Sequence, residues 1–200
     1  MLQRVFLTML AVLVPLGSIR ADVTDCDRLA ANPPDPDRLV EGVPRSEVDV
    51  GAAVQACTEA LAASPDNARF AYQLGRVYFY AGNTEGALQY IGRAADQGYR
   101  QAEFVMGALA DNRREGVPDN VCAVEDYWYR AASKGHLQAR VAYVRHVTKG
   151  LFDDCRVQAS SDDLAAMVDI KATGSEAYFL RLLVADLKED VDAHIKRNAE

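Results

Sequence analysis

The chain has 200 residues, half of them hydrophobic, with 22 Lys and Arg against 29 Asp and Glu. A net charge of −7 argues against nucleic acid or an anionic membrane surface as the main partner, since both attract basic surfaces. The length fits one domain with an ample hydrophobic core.

The chain opens on a short positive start ending at Arg4, followed by an apolar run from Val5 to Leu16 that is too short to span a bilayer. Gly17, Ser18 and Ala21 are small residues suited to a cleavage region. We therefore expect residues 1–21 to be a signal peptide cut after Ala21, the alternative being an uncleaved anchor. The mature chain loses Arg4 and Arg20, so 20 basic residues face 29 acidic ones, a net charge of −9. Its expected location is the periplasm or the cell exterior, with no stable membrane span after cleavage.

Export places the four cysteines in an oxidising compartment, where an even count favours disulfides. Three pairings are open. Cys26 with Cys57 and Cys122 with Cys155 are favoured because each pair is separated by about one repeat length. Chain entropy gives roughly 3–4 kcal/mol for closing a loop of that size. A metal or redox site fits less well: there is no Cys-x-x-Cys, and no histidine stands at ligand spacing from a cysteine. The expectation is no metal and no cofactor.

Residues 22–45 carry Asn32-Pro33-Pro34-Asp35-Pro36-Asp37 and read as an extended, proline-rich arm. A Cys26–Cys57 bond would strap it onto the first helix. From there to residue 200 helices follow almost without pause. Ser46 is the expected cap of a helix running to about Ala63, and Ser64-Pro65 the expected start of one reaching Tyr80. Thr84 to Gln97, Arg100 to Asp111, Asn120 to Lys134 and His136 to Lys149 continue the series, with Gly98, Gly135 and Gly150 as stops. Ser160 opens a helix to about Ala172, and Ser175 opens the last, reaching Lys196. No stretch alternates strictly enough to predict a strand.

A repeat runs through these helices. Ala94-Ala95-Asp96-Gln97-Gly98 recurs 37 residues later as Ala131-Ala132-Ser133-Lys134-Gly135, and Ala102-x3-Met106-Gly107 lines up with Ala139-x3-Tyr143-Val144. A weaker copy is Phe70-x3-Leu74-Gly75. Periods of this size mean stacked helix pairs, none of which can bury its apolar face alone. Ala94, Ala95, Ala131 and Ala132 permit close helix approach, as do Gly75 and Gly107. Leu74, Tyr78, Tyr90, Met106, Tyr127 and Trp128 are the expected inter-helix filling.

The pattern Ala-x-x-Tyr-x-x-x-Ala-Ala-x-x-Gly, in Ala87 to Gly98 and less perfectly in Val124 to Gly135, resembles the Sel-1-like repeat. Gly116-Val117-Pro118-Asp119 resembles the turn that family uses. Ala53-x6-Ala60-Leu61-x3-Pro65-x-Asn67 looks more like a tetratricopeptide repeat, and Ala53 to Ala87 is 34 residues, the length of that repeat. The resemblance implies an all-α fold: a right-handed α-α superhelix, a solenoid of antiparallel helix pairs. Its clearest repeats lie at 53–150, with divergent helices at 160–197. After His146 the pattern departs from the family.

The resemblance also implies that the first helix of each pair lines a concave face. Arg69, Tyr72, Arg76, Phe79 and Tyr80 form the expected stripe on the first such helix. Gln101, Phe104, Ala108, Asp111 and Asn112 follow on the second, and Gln138, Ala142, Arg145, Thr148 and Lys149 on the third. Aromatic and arginine side chains together are the usual anchors of an interface, and arginine grips carboxylates through its fork. This points to an acidic protein or peptide partner. The tetratricopeptide clamp for a terminal carboxylate is not supported, because Tyr72 and Arg76 stand where it needs lysine and asparagine. The competing reading has Tyr72 and Phe79 packing on neighbours and the arginines solvated. His136, His146 and His194 are too scattered for a metal site, and no nucleophile motif or phosphate loop is present. The expected function is a non-catalytic protein- or peptide-binding scaffold. The alternatives are an accessory protein or enzyme acting on cell-wall material, and a purely structural cap.

Overall fold

The computed structural model describes residues 22–114, 116–117, 119–171 and 177–199. The expected signal peptide, its cut after Ala21, Pro118 of the Gly-Val-Pro-Asp turn and the Ser175 helix start lie outside these residues. Among the described residues every regular element is helical: α1 (Asp25–Ala30), a 3-10 turn (Arg45–Glu47), α2 (Val50–Ala63), α3 (Ala68–Tyr80), α4 (Thr84–Asp96), α5 (Arg100–Asp111), α6 (Val121–Ser133), α7 (Leu137–Thr148), α8 (Ser161–Met167) and α9 (Ala177–Asn198). Each helix packs on its successor, most extensively α3 on α4 and α5 on α6. The result is a helical-repeat solenoid.

The pairs close because their contact faces are stripped to small residues. A Cβ on Gly75 would lie 2.6 Å from Ile91 Cγ1, and one on Gly107 would lie 2.5 Å from the Trp128 indole. These approaches let Leu74, Ile91, Met106 and Trp128 bury their side chains, with Tyr78, Tyr90 and Tyr127 partly buried beside them. Side-chain caps fix most helix starts. Asn67 accepts from the N–H groups of Arg69 and Phe70, Asn83 from Gly86, and Asn120 from Cys122 and Ala123.

Four expectations are corrected. The arm is not wholly extended: Thr24 and Asp27 form a reciprocal capping box that starts α1. Asp49 rather than Ser46 caps α2, because residues 45–47 tighten into the 3-10 turn. Asn67 rather than Ser64 caps α3, because residues 64–67 close a turn through the Asn67 N–H and the Ser64 carbonyl. Finally, α8 stops at Met167, short of Ala172.

Both ends of the stack are held by a disulfide. Cys26–Cys57 joins α1 to α2, with Cα atoms 4.5 Å apart. Cys122–Cys155 joins α6 to the loop after α7, with Cα atoms 5.3 Å apart. These are the pairings favoured from the sequence. The departure after His146 now has a physical form. Residues 149–160 run as a loop that drives Phe152 fully into the core against Tyr143 and His146. Buried Glu125 holds this loop by accepting from the Tyr143 hydroxyl (2.7 Å), the Gln158 N–H (2.9 Å) and the Gln158 amide (3.0 Å).

Candidate peptide-binding face

The expected binding stripe divides in two. Its first part, on α3, is taken by the chain's own arm. Arg69 grips Asp27 of α1 through Nε (2.7 Å) and Nη2 (3.2 Å). Asp27 is fully buried, which by itself raises its pKa. Hydrogen bonds from the Thr24 N–H, Gln73 and Arg69 outweigh that, and its carboxyl sits below the usual aspartate value. Tyr72 is 2 % exposed, and its hydroxyl accepts from the Asn32 amide at 2.8 Å.

Arg76 is 5 % exposed; its Nε donates to the Tyr80 hydroxyl at 2.9 Å and both terminal nitrogens go to the arm. Nη1 donates to the carbonyls of Ala30 and Ala31 at the end of α1, both at 2.9 Å, and Nη2 donates to the Val43 carbonyl at 2.6 Å. The Val43 N–H in turn donates to the Ala31 carbonyl at 2.8 Å. Residues 32–42 therefore leave and return through one neck, gripped on both sides by a single arginine. Gly42 permits the closure, because a Cβ there would run into the Pro33 backbone. Arg69, Tyr72 and Arg76 are thus held by the arm, though Tyr72 and Arg76 still line the cavity beside it.

The tip of this loop reaches α5. Asp35 is fully buried; it accepts from the Tyr99 hydroxyl at 2.6 Å and from the Asp37 N–H at 2.9 Å. Burial raises its pKa above the usual aspartate value despite those bonds. Burial and the neighbouring Asp35 carboxylate push the Tyr99 hydroxyl up as well. Asp37 receives a bidentate fork from Arg100, both contacts at 2.8 Å. Sequence reasoning missed Asp27, Asn32, Asp35, Asp37, Tyr99 and Arg100. The available signal was charge complementarity between an acidic arm and the arginines of the face behind it.

Next to the loop the face is open. A cavity of about 280 Å³ is bounded by Tyr72, Arg76, Phe79, Tyr80, Val105 and Leu109 of the helices and by Asn32 and Arg45 of the arm. A second of about 650 Å³, sharing Phe79 and Leu109, extends to Leu88, Glu85 and Arg114. Phe79 and Tyr80, named from the sequence, do line this space. Tyr80 lies under the guanidinium groups of both Arg45 and Arg76, each 5.0 Å from its ring centre.

The remaining predicted residues divide between core and surface. Gln101 is buried and accepts from His136 Nε2 at 3.0 Å, while the Ala139 N–H donates to Nδ1 of the same ring at 3.2 Å. That pattern fixes a neutral imidazole, and burial pulls the His136 pKa down to about 4. Phe104 stacks on this ring at 4.6 Å. Asp111 is exposed and faces His146 Nε2 at 3.2 Å. Arg145 on α7 and Lys149 just past its end are exposed, with Arg145 3.9 Å from Asp186 of α9.

Paired helices stacked in series define the class, a helical-repeat protein. Residues 46–108, spanning α2 to α5, match the tetratricopeptide repeat family. That segment carries the loop-covered stripe and most of the open cavity wall. No curated protein and no solved structure matches the chain. Among the described residues, no helix is long and apolar enough to cross a membrane.

Proposed function

We propose that the protein is a non-catalytic scaffold of the periplasm or cell exterior. On this reading it binds an extended segment of a partner protein in the open space between α3 and α5. The observation that carries this is the pair of adjoining cavities, with aromatic and aliphatic walls from Phe79, Tyr80, Val105, Leu88 and Leu109 and cationic rims at Arg45 and Arg114. Such a space suits an apolar side chain flanked by carboxylates: the walls desolvate the anchor and the rim arginines meet its charged neighbours. The tetratricopeptide match supports an interaction role, and two disulfides support an oxidising compartment.

A random-peptide display library panned against the chain from Asp22 onward tests the reading. Enriched peptides should carry an apolar residue next to Asp or Glu, and Leu109→Arg should abolish their capture. Enrichment indifferent to Leu109→Arg would refute it. Sequencing the exported protein tests location, the expected first residue being Asp22.

A further inference from the structure

The loop of residues 32–42 is fastened in two unequal ways. Its neck is locked: α1 is tied by Cys26–Cys57, Ala30 and Ala31 are fully buried, and Arg76 holds the Ala31 and Val43 carbonyls. Its tip is different. No hydrophobic side chain from residues 32–42 belongs to the described core, and Leu39 stands 39 % exposed. The tip touches the helices through polar groups: Asn32 on Tyr72, Asp35 on Tyr99 and Asp37 on Arg100. Polar contacts exchange with water at small net cost, whereas buried apolar surface does not. Such a tip can swing out while the neck stays closed.

Beneath the tip lies a surface already shown to accept a particular chemistry. The Tyr72 and Tyr99 rings sit 5.5 Å apart with their hydroxyls facing the arm, and Arg100 presents its fork beside them. The surface holds two carboxylates at i and i+2 on a proline-bearing segment folded into two consecutive turns, closed by the Asp35 N–H on the Asn32 carbonyl and the Arg38 N–H on the Asp35 carbonyl. It is also continuous with the open cavity, since Asn32 and Tyr72 line both. A segment seated in the cavity would thus abut the loop and compete for the same donors.

We propose that residues 32–42 are a resident ligand of this face. The site beneath them, built from Tyr72, Tyr99 and Arg100, takes a turn-forming Asp-x-Asp segment of a partner protein when the tip swings out. The proposal rests on the reading of this face as a peptide site. It adds a second subsite, the acidic chemistry it selects, and competition by the chain itself. A tethered loop is present at high effective concentration, so the wild-type site is mostly occupied.

A labelled synthetic peptide of residues 31–43 is the probe, titrated by fluorescence anisotropy against the full mature chain and its Asp35→Asn/Asp37→Asn variant. Amide exchange first establishes release. The Asp37 and Arg38 N–H groups should exchange faster in the variant, while the Val43 N–H keeps its protection. Unchanged exchange at the tip, or loss of protection at Val43 too, would overturn the hinge. The released variant should then bind the peptide at least tenfold more tightly than wild type, and adding Arg100→Ala should remove that gain. Equal affinity for wild-type and released chains, absence of binding to the released chain, or binding insensitive to Arg100→Ala would each overturn the proposal. Leu109→Arg separates the two readings: it closes the cavity but should leave peptide binding to the released chain within about threefold.

Discussion

Arg76 and Arg145 stand at equivalent places on α3 and α7, and the chain treats them in opposite ways. Arg76 is buried and makes a contact with each side of the loop neck and with the end of α1. Arg145 projects from the surface, its ion-pair partner Asp186 3.9 Å away. The helices are repeats of one another, so the difference comes from what lies against them. At the amino-terminal end an acidic arm is strapped across the face; at the carboxy-terminal end α9 packs on α7 and leaves the charged stripe in water. One repeat position can thus be structural at one end of a solenoid and available at the other, and side-chain identity alone does not say which.

The largest expected effect follows from Arg76. Arg76→Glu would set a buried carboxylate against the carbonyls of Ala30, Ala31 and Val43. Losing a buried cation and burying an unpaired charge costs about 3–5 kcal/mol. Urea unfolding should show that loss, and limited proteolysis should cut the arm before the helices. An Arg76→Glu chain as stable as wild type would mean that the arm does not depend on this clamp.

The disulfides sharpen the contrast. Their sequence separations are 31 and 33 residues, so chain entropy assigns them nearly equal contributions, about 3–4 kcal/mol each. Their surroundings differ. Cys26 and Cys57 are fully buried, whereas Cys122 and Cys155 are half-buried near the loop surface. Replacing the first pair by alanine should therefore cost more than replacing the second, and should expose the Asp35 tip to exchange. Equal losses in denaturant titrations of the two double variants would show that loop entropy alone decides.

Much of this architecture is legible in the sequence, for reasons that mark where legibility stops. Gly75 and Gly107 recur in register because a helix crossing needs them, and local periodicity reports it. The helix starts at Thr84 and Asn120 are read to within a residue because capping is decided within a few residues. The arm is another matter. Its contacts join residues 33 to 64 positions apart, as in Val43 with Arg76 and Asp35 with Tyr99. No local pattern encodes such pairings. The cysteines gave the one long-range clue, that the arm is strapped to α2, but not that its acidic tip continues across the stripe on α3. Phe79 and Tyr80 do line the open cavity, with Arg45 of the arm over the Tyr80 ring.

The pH dependence of stability probes the join between the two halves, where His136 at the start of α7 bonds Gln101 of α5. The folded pKa of about 4 lies below the unfolded value, so the unfolded chain takes up this proton first as pH falls. The contribution is fully present above pH ~6.5 and is lost progressively as pH drops toward 4, up to about 3 kcal/mol in all. His136→Gln should flatten that part of the stability profile between pH 7 and 4. If the slope survives the substitution, other groups carry it.

The smallest expected effect returns to Arg145, and its smallness is what the comparison requires. The Arg145–Asp186 pair is long and exposed on both sides, with side-chain exposures of 46 % and 63 %. Water and salt screen such a pair, and holding two long side chains together offsets most of the attraction, so it is worth less than about 0.5 kcal/mol. Arg145→Ala should leave the unfolding midpoint almost unchanged at low and high salt. The equivalent Arg76→Ala should shift it by several times that amount, because three carbonyls lose their donor where water has poor access. A large loss for Arg145→Ala would mean that this arginine holds α9 onto α7 as Arg76 holds the arm onto α3. Both ends of the face would then be closed, leaving only the cavity between α3 and α5 for a partner.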